Sequence, residues 1–465
     1  MNMINVRRLA VMTFLGAGML SDISAQDFSL QADTLNEARL PAQWDLQSCI
    51  DYALEQNITI RKNRVTAEST QIDVKTAKAA LFPSLSFSTS QQVVNRPYQE
   101  TSSRVSGSEI ISSNSKTSYN GNYGLNASWT IYNGSKRLKT LKQERLNNQI
   151  AELDVATSEN TIKESIAQIY IQILYAAESV RVNENTLQVS IAQRDRGQEL
   201  LNAGSIAKSD LAQLEAQVST DRYQLVTAQA TLQDYKLQLK QLLELDGENE
   251  MNVYLPKLSD ENVLAPLPTK KDVYVSALAI RPEIEASKLN VEASELGIDI
   301  AKSSYFPTIS LSAGIGTNHT SGSDFTFGEQ VKNGWNNSFG LSVSVPIFNN
   351  RQTKSAVQKA KLQRETNMLS LLDEQKALYK TIESLWLDAN SAQQRYAAAN
   401  EKLRSTQISY DLISEQFNLG MKNTVELLTE KNNLLQAQQE QLQAKYMAIL
   451  NTQLLKFYQG DKLTL

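Results

Sequence analysis

The stretch "AKAALFPSLSFSTS" (residues 77–90) changes period in its middle. Up to Leu81 it reads as the end of a helix. Beyond Pro83, Leu85, Phe87 and Thr89 alternate with Ser84, Ser86 and Ser88, which is the period of two of a strand. The switch recurs in "AKSSYFPTISLSAG" (residues 301–314), where Phe306-Pro307 takes the place of Phe82-Pro83.

The correspondence runs well beyond these two segments. Ala53 and Leu54 precede Ala277 and Leu278 by the same spacing that separates Phe82 from Phe306. Farther on, "YGLNASWTIYNGSKR" (123–137) matches "FGLSVSVPIFNNRQT" (339–353) at the shorter spacing that also relates Gly204 to Gly420. The length difference falls between two strands, where a hairpin loop absorbs it. The pattern reads as an internal duplication. A first repeat occupies 26–246, a linker 247–269 with Gly247, Pro256, Pro266 and Pro268, a second repeat 270–460 and a tail 461–465. Each repeat runs helix, strand, loop, strand, very long helix, glycine, second long helix.

The second strand is explicit in both copies. Leu125, Ala127, Trp129 and Ile131 alternate with Asn126, Ser128 and Thr130; Phe339, Leu341, Val343, Val345 and Ile347 alternate with Gly340, Ser342 and Ser344. Apolar on one side and small or polar on the other fits a soluble sheet packed on a core. It equally fits a membrane barrel wall. The scarcity of further strands favours the wall, because four strands among helices have no second sheet to cover them. Residues 91–118 and 316–337, the latter with Gly322, Gly328, Gly334, Asn336 and Asn337, read as exposed loops. Tyr119, Tyr123, Trp129 and Tyr132 in one half, and Tyr305, Phe306, Trp335, Phe339 and Phe348 in the other, cluster at strand ends as an interfacial girdle would.

The helices carry a heptad rhythm. Leu211, Leu214, Val218, Leu225, Ala228, Leu232, Tyr235, Leu239 and Leu242 follow steps of three and four, broken only at Asp221. Ile162, Ile166, Ile169, Ile173, Ala176, Val180 and Leu187 do the same. No proline interrupts residues 135–201, so the first of these helices reaches roughly 100 Å at about 1.5 Å per residue.

Composition narrows the function. The chain has 465 residues, 41% hydrophobic and 21% charged, a foldable balance with only 18 Gly and 9 Pro to interrupt long elements. Its 46 basic and 50 acidic residues leave no cationic excess for nucleic acid. Cys49 is the sole cysteine and reads as a small core residue. The sole histidine, His319, falls in a predicted surface loop, so neither a histidine-based triad nor a histidine metal cluster can be assembled. Without a phosphate-cradling glycine loop either, the reading is of a protein that is not an enzyme and carries no cofactor or metal. At the start, "NVRRLAVMTFLGAGMLSDISAQ" combines Arg7 and Arg8, an apolar run and a small-residue exit, as in a secretory signal peptide over residues 1–25. Beyond it no apolar run is long enough for a spanning helix. An exported chain of this kind that crosses a membrane does so as a barrel.

Two halves with strand pairs and long helical hairpins behind a signal peptide resemble the TolC-like outer-membrane efflux proteins. The likeness is carried by the Phe-Pro switches (Phe82, Pro83, Phe306, Pro307), by "PIFNNR" beginning at Pro346, by the tips "LNAGSIAKSDL" and "FNLGMKNTVELL", and by the tail "AKYMAILNTQLLKFYQG". The resemblance implies a mainly α fold with a small β part: a long coiled-coil barrel of helices joined to a twelve-stranded transmembrane β-barrel, formed by a homotrimer embedded in outer-membrane lipid. It implies a duct for efflux or type I secretion across the periplasm. Its partners would be a periplasmic adaptor (a membrane fusion protein) and an inner-membrane pump of RND or ABC type. Gly204, Ser205, Ile206, Gly420 and Met421 would be the adaptor-docking tips. Glu426, Glu430, Lys422 and Asp210 would form the periplasmic gate, where a ring of carboxylates is expected to raise its own pKa. Two departures stand out: Thr130 occupies the place of Pro346 in the first half, and Thr429 the place of the gate's second acidic residue. The rival reading is a periplasmic coiled-coil adaptor or scaffold, which needs no amphipathic strands.

Overall fold

The computed structural model describes residues 41–98, 102–106, 109–113, 116–246, 251–256, 263–321, 323 and 325–464. The signal-peptide reading, Gly247 and Gly322 lie outside these residues. The elements are α1 (Leu46–Gln56), α2 (Ile58–Ala79), β1 (Ser84–Asn95), β2 (Ser102–Ser106), β3 (Glu109–Ser113), β4 (Thr117–Asn133), α3 (Lys136–Asn202), α4 (Lys208–Leu242), α5 (Lys270–Ile280), α6 (Pro282–Ser303), β5 (Thr308–Thr320), α7 (Phe327–Asn333), β6 (Asn336–Ser344), α8 (Gln352–Asn418) and α9 (Thr424–Gln459). The fold is mainly helical with a small sheet.

The chain forms two compact units. In the smaller, Trp44 bridges Val253 in parallel, its amide donating to the Asn252 carbonyl and its carbonyl accepting from Tyr254. In the larger, β1, β4, β5 and β6 make one antiparallel sheet in that order, leaving β1 and β6 as edges. Register puts Leu85 opposite Ala127, Phe87 opposite Leu125, Leu311 opposite both Trp129 and Leu341, and Ile309 opposite Val343. All share one face, and Leu85, Phe87, Leu125, Trp129, Leu341 and Val343 are exposed on it. The opposite face is a hydroxyl lattice: Ser84 and Ser128 share a bond of 2.8 Å, and Ser86, Ser312 and Ser338 donate across to strand carbonyls.

Two expectations are corrected here. The segment 91–118 is not all loop, since β1 runs to Asn95 and β2 pairs with β3 as a separate hairpin. The segment 316–337 contains the end of β5, the helix α7 and the first residues of β6, so His319 lies in a strand. Backbone pairing extended both regions past the point where alternation of side chains stops.

Helices α3 and α8 each have 67 residues, roughly 100 Å at about 1.5 Å per residue. Both start from the same kind of turn. Gly134 and Ser135 before α3, and Asn350 and Arg351 before α8, take left-handed φ of 64°, 64°, 50° and 66°. Gly134 is the tight one, because a Cβ there would fall 2.7 Å from the Ser303 carbonyl oxygen. The helices bury part of their heptad seams, Leu211, Leu214, Val218 and Leu239 on α4 and Ile162, Ile166, Ile173 and Leu187 on α3, while Leu225, Leu232 and Tyr235 of α4 and Ile169 and Val180 of α3 are half-buried. Cores form where α5, α6, α8 and α9 meet around Val273, Ile284, Ile382 and Leu455, and around Tyr396, Ala448 and Val263. Val263 belongs to the segment read as linker, which Gln393 holds by donating to the Val263 and Ala265 carbonyls. Cys49 is fully buried.

Candidate functional site

The helical tips are built alike. After α3, the Gly204 and Ser205 amides donate to the Leu201 and Leu200 carbonyls, each at 2.9 Å; after α8, Gly420 and Met421 donate to Phe417 and Gln416 at 2.9 and 2.8 Å. This closure needs a left-handed residue, and Gly204 and Gly420 supply φ of 75° and 74°. Space does not require glycine there: a Cβ at either position meets nothing within 4 Å. Ser205 and Met421 are exposed, with Leu419 and Val425 beside Met421, whereas Ile206 is half-buried, its Cδ1 facing Gly197.

Each second helix begins with a carboxylate folded back on the turn. Asn423 caps α9 by accepting from the Glu426 amide at 2.9 Å, and Glu426 accepts from the Asn423 amide at 3.3 Å. Lys422 donates to the other Glu426 oxygen at 2.6 Å. Asp210 repeats half of this arrangement, accepting from the Ala207 amide at 3.0 Å. Lys422 and Glu426 are therefore brought together. Glu430 is turned to the neighbouring helix, where it accepts from Ser409 of α8 at 3.0 Å. Within the chain, the Lys422 hydrogen bond and then the Asn423 amide hold the Glu426 carboxyl below its ordinary range. This lowering is the effect of the chain's own cation and amide on a single carboxylate.

At the other end of the long helices stand the switches. Phe82 and Pro83 link α2 to β1, and Phe306 and Pro307 link α6 to β5. Both close with the same bonds, the Phe82 amide to Ala79 and the Phe306 amide to Ser303. Trp129 ties the first switch to the sheet by donating to the Leu81 carbonyl at 2.8 Å, and Arg137 donates to the Ala80 carbonyl. Pro346 lies just past the end of β6; its counterpart Thr130 lies within β4 at a register shift.

The feature missed from sequence sits above the tips. Lys431 of α9 donates to Asp221 of α4 and to the Ser190 hydroxyl of α3, and Ser190 also donates to Asp221, all three buried. Below it, Leu214, Phe417 and Leu427 form a buried apolar cluster. Asp221 had one visible signal, its interruption of the heptad seam. Among the described residues, no group of three or more metal-ligating side chains is assembled, and no helix is long and apolar enough to cross a membrane.

Long paired helices carrying a four-stranded sheet with one apolar and one hydroxyl face make the fold of outer-membrane channel proteins. A solved structure of CusC has it, with a TM-score of 0.76 and 19% identity over 90% of this chain and 92% of that one. The outer membrane efflux protein family matches residues 49–244 and 273–460, and the chain belongs to that family. It is 25% identical over 63% of its length to the outer membrane efflux protein BepC of Brucella suis, and 25% identical over 70% to the outer membrane protein TolC of Escherichia coli. The matches span 61% and 66% of those relatives' lengths. The family is one of efflux proteins, not of enzymes.

Proposed function

We propose that the protein is the exit duct of an efflux or secretion system. Three copies would contribute four strands each to a twelve-stranded barrel in the outer membrane, with the long helices forming a tunnel through the periplasm. The observation that carries this is the sheet. Apart from the end of β5 where α7 lies, its apolar face is uncovered, and both of its edges are open, which a closed barrel in lipid resolves at once. An adaptor or scaffold would leave that face in water. The matching order of elements on either side of residues 247–269, with like turns at Gly134–Ser135 and Asn350–Arg351, supports an internal duplication with repeats at 26–246 and 270–460.

The tips around Gly204 and Gly420 would receive a periplasmic adaptor, and an RND or ABC-type inner-membrane pump would deliver the cargo. Three copies of the Lys422–Glu426 pair would surround the mouth. The test is extraction and conductance: the protein should require detergent for release from outer-membrane fractions, cross-link as a trimer and give ion currents in a planar bilayer. Release by a salt wash, with no current, would overturn this reading.

A further inference from the structure

We infer that α7 is an interfacial anchor, a short helix folded against the outer wall of the barrel with its aromatic side chains in the boundary between lipid headgroups and acyl chains. The inference rests on the lipid-facing reading of the sheet.

The face that α7 touches is fixed by register. Leu311 lies opposite Trp129, Ile315 opposite Leu125, Thr317 opposite Tyr123 and His319 opposite Gly121. Alternation places these residues on the apolar face, away from the serine lattice. Two side chains of that face hold α7. The Thr317 hydroxyl donates to the Val331 carbonyl at 2.7 Å, and the His319 ring meets Phe327 edge-on at 5.0 Å. His319 is itself seated between Tyr119 and Tyr123, at 5.2 and 5.8 Å. Its place exists because the residue across from it is glycine: a Cβ on Gly121 would lie 2.2 Å from the imidazole Cε1. The Thr320 amide also donates to Gln330 at 2.8 Å and Gly334 lies against Asn318, so α7 runs along β5 beyond the start of β6, drawn toward the outer face by Thr317 and His319.

Depth follows from length. A barrel strand crosses the hydrocarbon in about 9–11 residues. Counted from Ile309, the first apolar outward residue of β5, that span ends at Thr317 to His319, which is where α7 docks. There the helix and its flanks present Phe325, Phe327 and Trp335 at 54, 43 and 57% exposure, alongside the exposed Glu329 and Lys332. Aromatic rings next to charged side chains at the end of an apolar band fit the polar–apolar boundary of a bilayer. Neither bulk water nor the acyl core suits that mixture.

The test is depth-resolved quenching. The full chain is reconstituted in phosphatidylethanolamine–phosphatidylglycerol vesicles containing lipid brominated either near the headgroup or deep in the chain. Emission from Trp335 and Trp129 is isolated by subtracting the Trp335→Phe and Trp129→Phe variants from wild type. Trp335 should lose more emission to the shallow label than to the deep one. If Trp129 is quenched and Trp335 is not, α7 stands in water and the anchor is refuted while the lipid-facing wall survives. If neither is quenched, the wall reading fails and the anchor with it. Stronger quenching of Trp335 by the deep label would also refute a boundary position. Should Trp335→Phe not assemble, Phe325→Trp compared with wild type supplies a second reporter on the other flank of α7, with the same outcomes.

Discussion

Lys431 and Asp221 form an ion pair between two different helical hairpins at 3 and 1% exposure, with Ser190 as the third member. Burial strips both charges of water, so each depends on the other. Lys431→Met or Asp221→Leu alone should cost about 3–5 kcal/mol, because each strands a buried charge, whereas the double variant should recover most of that loss. Chemical unfolding followed by helical circular dichroism measures the cycle. Equal losses in single and double variants would mean that packing and not charge holds the site.

The same pair has a pH signature. Desolvation lowers the Lys431 pKa from 10.5, outweighing the opposing pull of Asp221. Between the lowered folded value and 10.5 the unfolded chain binds more protons, so this group should make stability rise with pH through that window. Lys431→Met should remove the rise, as unfolding midpoints measured at alkaline pH would reveal.

At the tips, Lys422 screens Glu426. Glu426→Gln should weaken cation preference in a planar bilayer, and Lys422→Ala should strengthen it by freeing the carboxylate. Glu430→Gln should change the reversal potential least, since Glu430 is occupied by Ser409. The Glu426 carboxyl is held low, so its contribution to the tip persists above the ordinary carboxyl range and is lost as pH falls through the lowered value. Cation preference should fade over that acidic window. A reversal potential unmoved in Glu426→Gln would remove this residue from the mouth.

The two faces of the sheet should respond oppositely to charge. Leu341→Lys or Phe339→Lys, opposite Leu311 and Ala313 near the middle of the apolar face, should cost about 2–4 kcal/mol if that face meets lipid. Ser342→Lys and Ser128→Lys should assemble normally and alter conductance. Heat-modifiable migration on gels and single-channel current separate the two, and equal damage on both faces would point to a packed soluble sheet.

Both tip glycines have open space around them, so the cost of Gly204→Ala or Gly420→Ala is one left-handed alanine, about 1–2 kcal/mol. Assembly should survive this. Bulky residues at both tips should abolish efflux while leaving the assembly intact, as export assays on the double variant would establish; normal export would discard the docking role.

Much of this architecture was legible because two periods carry it. Alternation at Leu85–Thr89 and Leu125–Ile131 marked strands, and the three–four rhythm from Leu211 to Leu242 marked a helix whose seam is buried at Leu211, Leu214, Val218 and Leu239 and half-buried from Leu225 to Tyr235. What escaped was set by contacts distant in sequence. His319 reads as a loop residue until Gly121 is placed opposite it, and α7 lacks the length to impose a period. Asp221 was visible as an interruption, but its partner Lys431 lies on another hairpin and leaves no trace in the local pattern. Lys422 beside Glu426 was within view, yet the sign of its effect depended on a side-chain bond.

The open edges of the sheet bear on how the molecule is made. Neither β1 nor β6 contains a charged residue or a proline, the usual guards against stray pairing. Each newly made chain therefore carries two adhesive borders, and if the proposed trimer is what satisfies them, the first encounter is second order in chain concentration. Off-pathway clumping competes with that encounter at every copy number. Shielding β1 and β6 in transit, or keeping expression modest, should therefore raise the yield of correctly assembled protein.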